Sequence, residues 1–268
     1  MELRILMIGG IIFMQVPIRK LKQYLKDNTN DCKRTHSFEN SIISKSIFAL
    51  FNKFINKLEG MTEYEAGLFV QSFDKWLDRK DIVNKTENDV KVVVGDICMI
   101  DWNINYNPEL SYVHPCLIIE DINNLIFAVP VSGQQDIIDI AYHPIDNIEG
   151  DKNYRKVNTS DGFQKECVLF ISEAKVISKS RIVNRIGHIN CDLLDENGLF
   201  REIRWIMVAS YFPYEYSVLR GTIENNQSRI EKLEEYRRYH QSRADKNNRE
   251  IIRLKEEIEK LQKKIDMK

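Results

Sequence analysis

The chain has 268 residues, of which 43% are hydrophobic and 29% charged, and its formal net charge is −1. This composition is typical of a protein with a hydrophobic core and excludes an intrinsically disordered chain. It also excludes a uniformly basic nucleic-acid-binding protein, because such proteins carry an excess of Lys and Arg to neutralise phosphates. The middle of the chain, residues 91–204, is acidic, with a net charge of about −6. Any contact with RNA or DNA must therefore depend on a local cluster of basic residues.

The five cysteines are far apart and form no C-x-x-C pair. This spacing excludes the common zinc motifs and a dense disulfide framework. Motifs for nucleotide binding, dinucleotide binding, zinc proteolysis and serine hydrolysis do not occur in the sequence. We therefore expect no metal and no cofactor. Free thiols are typical of a reducing compartment, and we expect the protein in the cytoplasm.

Residues 1–16 form a segment of doubtful status, because Ile5–Val16 is mostly apolar. The segment is too short to span a membrane, and no A-x-A-like cleavage site follows it. Three interpretations stay open: translation that begins at Met14, a buried N-terminal strand, and a membrane role. Elsewhere the sequence has no run of about 18 apolar residues, so we expect no membrane partner.

Residues 17–84 are expected to form a helical extension. In Ser37–Gly60, apolar residues recur three or four positions apart, which predicts a helix that ends at Gly60. Thr62 and Glu65 have the spacing of a capping box, which predicts the start of the next helix. The apolar residues on one side of that helix are Phe69, Phe73, Trp76 and Leu77. A polar linker over 84–89 separates this extension from the rest.

Residues 90–214 are expected to form a second domain built from short β-strands. Turn residues separate the strand-like runs, and the turn at 121–124 is typical of a hairpin. Several short strands of this kind favour a small barrel or sandwich. The predicted strands are Lys91–Trp102, Cys116–Glu120, Leu125–Val131, Cys167–Ile171 and Lys175–Ile177. A helix is predicted over Leu193–Phe212, and Pro213 marks its end or a kink.

Residues 215–268 are expected to form a long coiled-coil helix. From Ile230 onward, apolar positions alternate three and four residues apart, with Ile at a and Leu at d in the last part. That combination favours a parallel dimer. Arg237, His240 and Asn247 interrupt the middle of the seam. The alternative is a single helix that folds back on the N-terminal helices.

Three segments resemble motifs of the MazF/PemK family of toxin endoribonucleases. Gly95–Trp102 (GDICMIDW) is similar to the family's opening strand, G-D-[IV]-x-x-[VI]-D-[FW]. Glu109–Ile119 (ELSYVHPCLII) resembles E-x-x-x-x-R-P-x-[LV]-[VI]-[VI], and Leu125–Ser132 (LIFAVPVS) resembles a strand that ends in V-P-[IL]-[TS]. Within Glu166–Ile189, SEAKVISKSRI resembles E-Q-[IL]-R-T-I-D-K-x-R-L, and RIGHI resembles x-I-G-x-L. The order and spacing of the segments carry the resemblance, since no single motif is specific.

The resemblance implies an α+β fold: an SH3-like small β-barrel, here with an N-terminal helical extension and a long C-terminal coiled-coil helix. It implies metal-independent cleavage of single-stranded mRNA, in which the ribose 2′-OH attacks its own phosphate. The products are a 2′,3′-cyclic phosphate and a 5′-OH. The implied partners are single-stranded RNA, a small antitoxin protein and a second copy of the chain in a homodimer.

The resemblance also indicates catalytic residues, with one departure from the family pattern. His114 stands where the family has Arg, whereas Ser132 keeps the family's hydroxyl at the strand end. An imidazole can transfer protons near neutral pH, but it cannot grip phosphate through a permanent bidentate fork as Arg does. Glu109 matches the family's acidic loop residue and is expected to orient His114; a solvated loop carboxylate is the alternative. His143, which also precedes a proline, is a candidate second proton carrier.

The expected RNA contacts are basic residues late in the second domain and one aromatic residue. Lys175 stands at a position where the family has Arg, and Tyr112 is placed to stack on a base. The expected RNA-binding residues are Lys175, Lys179, Arg181 and Tyr112. They extend a basic run that begins with Lys152, Arg155, Lys156 and Lys165 and includes Arg185.

A second function stays open: a catalytically silent barrel that binds protein partners and acts through its coiled coil. Fold alone does not fix activity, and the related CcdB toxins share this fold but poison gyrase. The missing Arg at position 114 and the acidic middle of the chain favour this alternative.

Overall fold

The computed structural model describes residues 5–8, 11–14, 16–83, 85–107, 109–195 and 197–266. The chain divides into two compact units. The first comprises Met1–Lys85 and Ile100–His114, and the second comprises Thr86–Met99 and Pro115–Lys268. The division after Lys85 falls in the predicted linker, whereas the assignment of Ile100–His114 to the first unit has no counterpart in the predicted boundaries 17–84 and 90–214.

The first unit contains a β-hairpin and four helices. Its elements are β1 (Ile5–Ile8), β2 (Ile11–Met14), α1 (Ile18–Asp27), α2 (Thr29–Cys32), α3 (Ser41–Glu59) and α4 (Glu63–Arg79). The hairpin pairs Ile8 with Ile11 and Ile5 with Met14. The backbone of residues 5–8 and 11–14 is therefore extended, as one of the three interpretations of this segment requires. Whether its side chains are buried, and where translation begins, lie outside what the described residues address.

Local sequence signals account for the two long helices of this unit. The Asn40 side chain caps α3 by accepting hydrogen bonds from the next backbone N–H groups, and Gly60 follows its last residue. The capping box of Thr62 and Glu65 is confirmed at the start of α4. The two helices pack through Phe54, whose ring lies 5.0 Å from that of Phe69. Along α4, Phe73 stacks on both Phe69 and Trp76, as the predicted apolar side requires.

The second unit is built on an eight-stranded sheet, so the chain is an α+β protein. The strands are β3 (Asp96–Asp101), β4 (Val113–Ile122), β5 (Leu125–Ser132), β6 (Ala141–Tyr142), β7 (Asp151–Val157), β8 (Cys167–Phe170), β9 (Lys175–Ser178) and β10 (Ile182–His188). Their order is β10–β3–β4–β5–β8–β7–β6, with β9 also paired to β5. The predicted hairpin is confirmed, because β4 and β5 pair antiparallel around Asn123 and Asn124. Strands β6, β7 and β10 were missed by the sequence-based prediction.

Helix α6 (Leu199–Tyr211) closes the core against one face of this sheet. Phe200, Ile203 and Met207 are buried with sheet residues such as Leu117, Val129 and Leu169. Fully burying each of these side chains stabilises the fold by about 1.5–3 kcal/mol. The Tyr211 hydroxyl donates to the backbone oxygens of Ile171 and Ala174, which fixes the end of the helix. The helix begins six residues later than predicted, because Leu193 and Leu194 lie in a bend that precedes it.

The tail is one helix, α7 (Pro213–Asp266), of 54 residues. It starts directly after the break that Pro213 predicted. Every residue from Thr222 to Lys263 is exposed. A helix packed against another would bury one stripe of side chains, and α7 shows no such stripe over these residues. A short helix, α5 (Gln135–Ile140), completes the described elements.

Candidate functional site

A small pocket opens in the second unit beside the end of β5 and the beginning of β4. Its volume is about 90 Å³. Pro115 and Gly133 line it, and these are the residues that directly follow His114 and Ser132 in the chain. Its other lining residues are mostly apolar: Ile97, Val131, Gly162, Phe163, Gln164, Lys165, Cys167 and Ile186. The pocket thus lies where the second resemblance motif ends, within one unit.

Lys165 is the basic residue of this pocket. A Cβ atom built on Gly133 would lie 3.2 Å from both the Cε and the Nζ of Lys165. Its side chain therefore extends over the turn that follows β5. Lys165 forms no ion pair with any described residue. It was part of the basic run in the sequence but was not singled out as an RNA contact.

Ser132 is buried at the end of β5, with only 6% of its surface exposed. Its hydroxyl accepts a hydrogen bond of 3.3 Å from the backbone N–H of Gln134. Val131 lines the pocket, and successive side chains of a strand point to opposite faces, so Ser132 points away from the lining of the pocket. The hydroxyl thus does in this structure what strand-end serines commonly do, which is to satisfy a backbone group.

His114 belongs to the first unit, at the end of a tightly bonded loop. Trp102 and Tyr112 close the loop through the backbone, and the Asn105 side chain donates to the oxygens of Trp102 and Leu110. His114 is half-buried, and burial lowers its pKa below the ordinary 6.5, although a hydrogen bond with the Ser111 backbone opposes this. Near neutral pH the imidazole is therefore uncharged. It can donate one N–H and accept at the other nitrogen.

The other predicted residues of the first unit lie on the same loop. Glu109 is exposed, and its backbone N–H donates to the oxygen of Tyr106 at 2.7 Å. Tyr112 is half-buried with a φ of +68°, a left-handed conformation held by its backbone bonds to Trp102 and Asn103. Both residues share a unit with His114, whereas Ser132 belongs to the other unit.

Internal ion pairs compensate much of the predicted basic run. The Nζ of Lys179 lies 2.6 Å from Asp121, and only 14% of the Lys179 side chain is exposed. Arg155 is buried and bonds Glu202 of α6 through two nitrogens, at 3.0 and 2.7 Å. Lys156 pairs with Glu166 at 2.5 Å. These cations hold the fold together, which leaves their charges balanced before any phosphate approaches.

The two remaining predicted contacts lie on and after β9. Lys175 is half-buried at the start of β9, opposite Ala128 of β5. Arg181 is half-buried in the turn between β9 and β10. Of the two, only Lys175 lies directly beside β5.

A group of three residues lies at the junction of β3 and β10, of which the sequence analysis named only Arg185, as part of the basic run. Asp96 is completely buried, and its Oδ1 lies 2.8 Å from the Nδ1 of His188 and 3.5 Å from a guanidinium nitrogen of Arg185. Its second oxygen accepts a 2.9 Å hydrogen bond from the backbone N–H of Val93. His188 and Arg185 remain 48% and 51% exposed. Asp96 belongs to the first resemblance motif and the other two to the last, so the fold brings these motifs together.

His143 is arranged differently. Its Nδ1 accepts hydrogen bonds from the backbone N–H groups of Ile145 and Asp146, and its side chain is 12% exposed. That arrangement caps a turn and leaves little of the ring accessible.

Among the described residues, no group of three or more His, Cys, Asp or Glu is placed to hold a metal ion. Likewise, none of the described helices has the length and apolar character needed to cross a bilayer.

Together these features define a two-unit α+β protein with an eight-stranded sheet, a pocket at a strand end and a carboxylate–imidazole–guanidinium cluster. No protein-family model matches the chain, and no curated protein does. Among solved structures, the chain is similar to the Mycobacterium tuberculosis toxin MazF-mt6. The match covers 44% of this chain and 96% of that chain, with 11% identity and a TM-score of 0.29. A likeness at that TM-score supports no inference about function.

Proposed function

We propose that this protein is a metal-independent endoribonuclease of the MazF/PemK toxin type, whose sheet corresponds to the family's small SH3-like barrel. The observation that carries the proposal is the placement of the three motifs. They fall on β3, on β4 and β5, and on β9 and β10, and four of these strands are consecutive neighbours in the sheet. Segments spread over about a hundred residues of the sequence thus form neighbouring strands of one sheet.

The reaction needs no ion or cofactor. The ribose 2′-OH attacks the adjacent phosphorus, the bond to the 5′ oxygen breaks, and a 2′,3′-cyclic phosphate and a 5′-OH remain. The protein must bind the phosphate and stabilise the charge that develops on it. We assign phosphate contact to the uncharged His114 and to Ser132, with Glu109 orienting His114. Lys175, Lys179 and Arg181 are proposed to contact the RNA backbone and Tyr112 to stack on a base.

One part of this assignment calls for an exchange of partner, because Lys179 must leave Asp121 to bind a phosphate. Ser132 only accepts the hydrogen bond from Gln134, so its O–H can donate to a phosphate while that bond is kept. Lys165, which is exposed at the pocket, can supply positive charge without breaking an ion pair within the described chain. Single-stranded RNA is the proposed substrate, a small antitoxin protein the proposed inhibitor, and the cytoplasm the proposed location.

The direct test incubates the purified full chain with a long single-stranded RNA in EDTA and maps the ends of the products. Cleavage that leaves 5′-OH and cyclic phosphate ends is expected. The variants His114→Gln and Ser132→Ala should reduce the rate by about 10²-fold or more if they contact the phosphate. Matched controls are His36→Gln, an exposed histidine, and Ser46→Ala, a buried serine that bonds within α3. Intact RNA at high protein concentration would contradict the proposal.

The second candidate, a binding module that acts through its coiled coil, is favoured by the exposed seam of α7. Ile251, Leu254, Ile258 and Leu261 each leave about half of their surface exposed. A parallel, in-register second copy would cover them. It would also place Arg229 at g opposite Glu234 at e, and Glu250 at g opposite Lys255 at e, with no like charges facing each other at these positions.

This dimer is tested by sedimentation of the full chain. A dimer is expected, and Leu254→Lys with Ile258→Lys should convert it to a monomer. Ile252→Lys is the control, because Ile252 is 58% exposed but lies at position b, outside the seam. A monomeric parent chain, or equal loss with the control, would contradict the dimer. A dimer that leaves RNA intact would favour the binding module over the ribonuclease.

A further inference from the structure

We infer that His188 is the proton acceptor for the attacking 2′-OH and that Arg185 binds the same phosphate, with Asp96 as the positioning residue. The inference rests on the proposed ribonuclease function and adds a catalytic residue that the family resemblance does not indicate. It stands on a geometry found within a single unit: a buried carboxylate that meets a half-exposed imidazole and a half-exposed guanidinium.

The carboxylate fixes which nitrogen of His188 can act as a base. An ionised carboxylate only accepts hydrogen bonds, so the Nδ1 that lies 2.8 Å from Asp96 carries the proton. The lone pair of the neutral ring is then on Nε2, which bonds to none of the described residues. His114 lacks this arrangement, because its hydrogen bond is with the Ser111 backbone. A histidine oriented by a buried carboxylate is the usual form of a general base in enzymes.

Arg185 supplies the charge that the reaction requires next to that base. Its nearest guanidinium nitrogen lies 3.5 Å from the same Asp96 oxygen that His188 contacts. Arg185 and His188 therefore lie side by side, with the guanidinium half exposed. Arg presents five N–H donors in a planar fork, so most of them remain available to phosphate oxygens while one faces Asp96.

The backbone around the cluster leaves room for the imidazole. Gly95 has a φ of +87°, and a Cβ atom there would lie 3.2 Å from the Cε1 of His188. Gly162 lines the pocket and comes close to the backbone of His188, since its Cβ would lie 2.7 Å from the His188 oxygen. The backbone of His188 thus lies beside the pocket that Lys165 also lines.

The chemical step balances without any further reactant. The 2′-OH proton passes to Nε2 of His188 while the 2′ oxygen forms its bond to phosphorus. Arg185 stabilises the added negative charge on the phosphate oxygens. The bond between phosphorus and the 5′ oxygen then breaks, and that oxygen takes a proton from solvent. His188 later returns its proton to solvent, which restores the starting enzyme.

The activity test compares His188→Gln with His143→Gln in the full chain. His143 also lies near a carboxylate, at 3.2 Å from Asp146, but its ring is largely buried. We expect His188→Gln, measured well below its Tm, to lower kcat by about 10²-fold or more. His143→Gln should retain the rate. If the parent chain cleaves RNA and His188→Gln does so equally well, the inference is wrong and the ribonuclease proposal stands. If the parent chain does not cleave RNA, both fail.

A spectroscopic test separates catalysis from a structural role for Asp96. Long-range ¹H–¹⁵N spectra of the histidine rings should show the Nδ1–H tautomer for His188 in the parent chain. In Asp96→Asn, where the amide can also donate, we expect the Nε2–H tautomer to appear and kcat to fall, with KM unchanged. An oligonucleotide with a 2′-deoxy sugar, which cannot be cleaved, should shift the His188 ring signals and leave those of His143 in place. Unchanged His188 signals at saturating oligonucleotide would overturn the inference.

Discussion

Substitution of Gly95 by Ala tests the backbone geometry on which the Asp96 cluster depends. The φ of Gly95 is +87°, and an L-residue with a side chain pays roughly 1–2 kcal/mol in the left-handed region. The new methyl group would also lie only 2.1 Å from the Sγ of Cys191 and 3.0 Å from the oxygen of Ile189. Forcing an extra carbon into a packed site costs about 1–3 kcal/mol. We therefore expect Gly95→Ala to lower the free energy of unfolding by about 2–5 kcal/mol.

The measurement is urea unfolding of the full chain, followed by circular dichroism, with Gly67→Ala as the matched control. Gly67 lies within α4, and a Cβ atom there would have no neighbour within 4 Å. The same chemical change should stabilise that helix by about 0.5–1 kcal/mol. The changes in the free energy of unfolding caused by the two substitutions should therefore have opposite signs. Adding Cys191→Ala to Gly95→Ala removes the sulfur contact and should restore part of the loss. Equal stability of Gly95→Ala and the parent, or no recovery in the double variant, would refute this reasoning.

Three further predictions concern other parts of the chain. Glu202→Gln should destabilise the second unit by about 3 kcal/mol, since it removes the partner of the buried Arg155, and adding Arg155→Met should restore much of the loss in a double-mutant cycle. Burial raises the pKa of Cys98 and Cys167 to about 12, so iodoacetamide at pH 8 should label neither thiol until the protein unfolds, as mass spectrometry of the peptides will show. The lowered pKa of His114 means that the unfolded chain binds a proton more readily. Stability should therefore fall as the pH drops through 6.5, and His114→Gln should lose less over that range in parallel urea titrations; an equal loss would contradict the assignment.

Local patterns in the sequence predicted the parts of the fold whose causes are local. Helices α3 and α4 follow from apolar spacing, a capping box and a terminal glycine, all readable within twenty residues. Strand β7 was missed because its sequence, DKNYRKV, has neither an apolar run nor a regular alternation. Its pairing with β8 holds it in the sheet, and Arg155 at its centre is buried only because Glu202 approaches from α6. Such a strand is determined by tertiary contacts rather than by its own residues.

The sequence likewise predicted only part of the candidate site. Motif order pointed to the strand ends, and the pocket lies directly beside them. The side chains of the proposed cluster were harder to identify from the sequence, since Asp96 and His188 are 92 positions apart and neither stands out in its own segment. The one available signal was that both lie inside resemblance motifs, as the Asp of GDICMIDW and the His of RIGHI. When two motifs are expected on neighbouring strands, each polar residue of one motif is a candidate contact for the polar residues of the other.

The charges of the second unit bear on how the proposed site would contact a phosphate. Part of its positive charge is used inside the fold, where Arg155 and Lys179 neutralise carboxylates. Among the cations that stay exposed, Arg185 lies beside His188 and Lys165 extends over the turn that lines the pocket. A phosphate contact of this kind gives position rather than affinity, because affinity for RNA grows with the number of phosphates neutralised. The chain should then act on RNA that is brought to it or bound through base contacts, and the exposed helix α7 is the element through which a second copy could supply more surface.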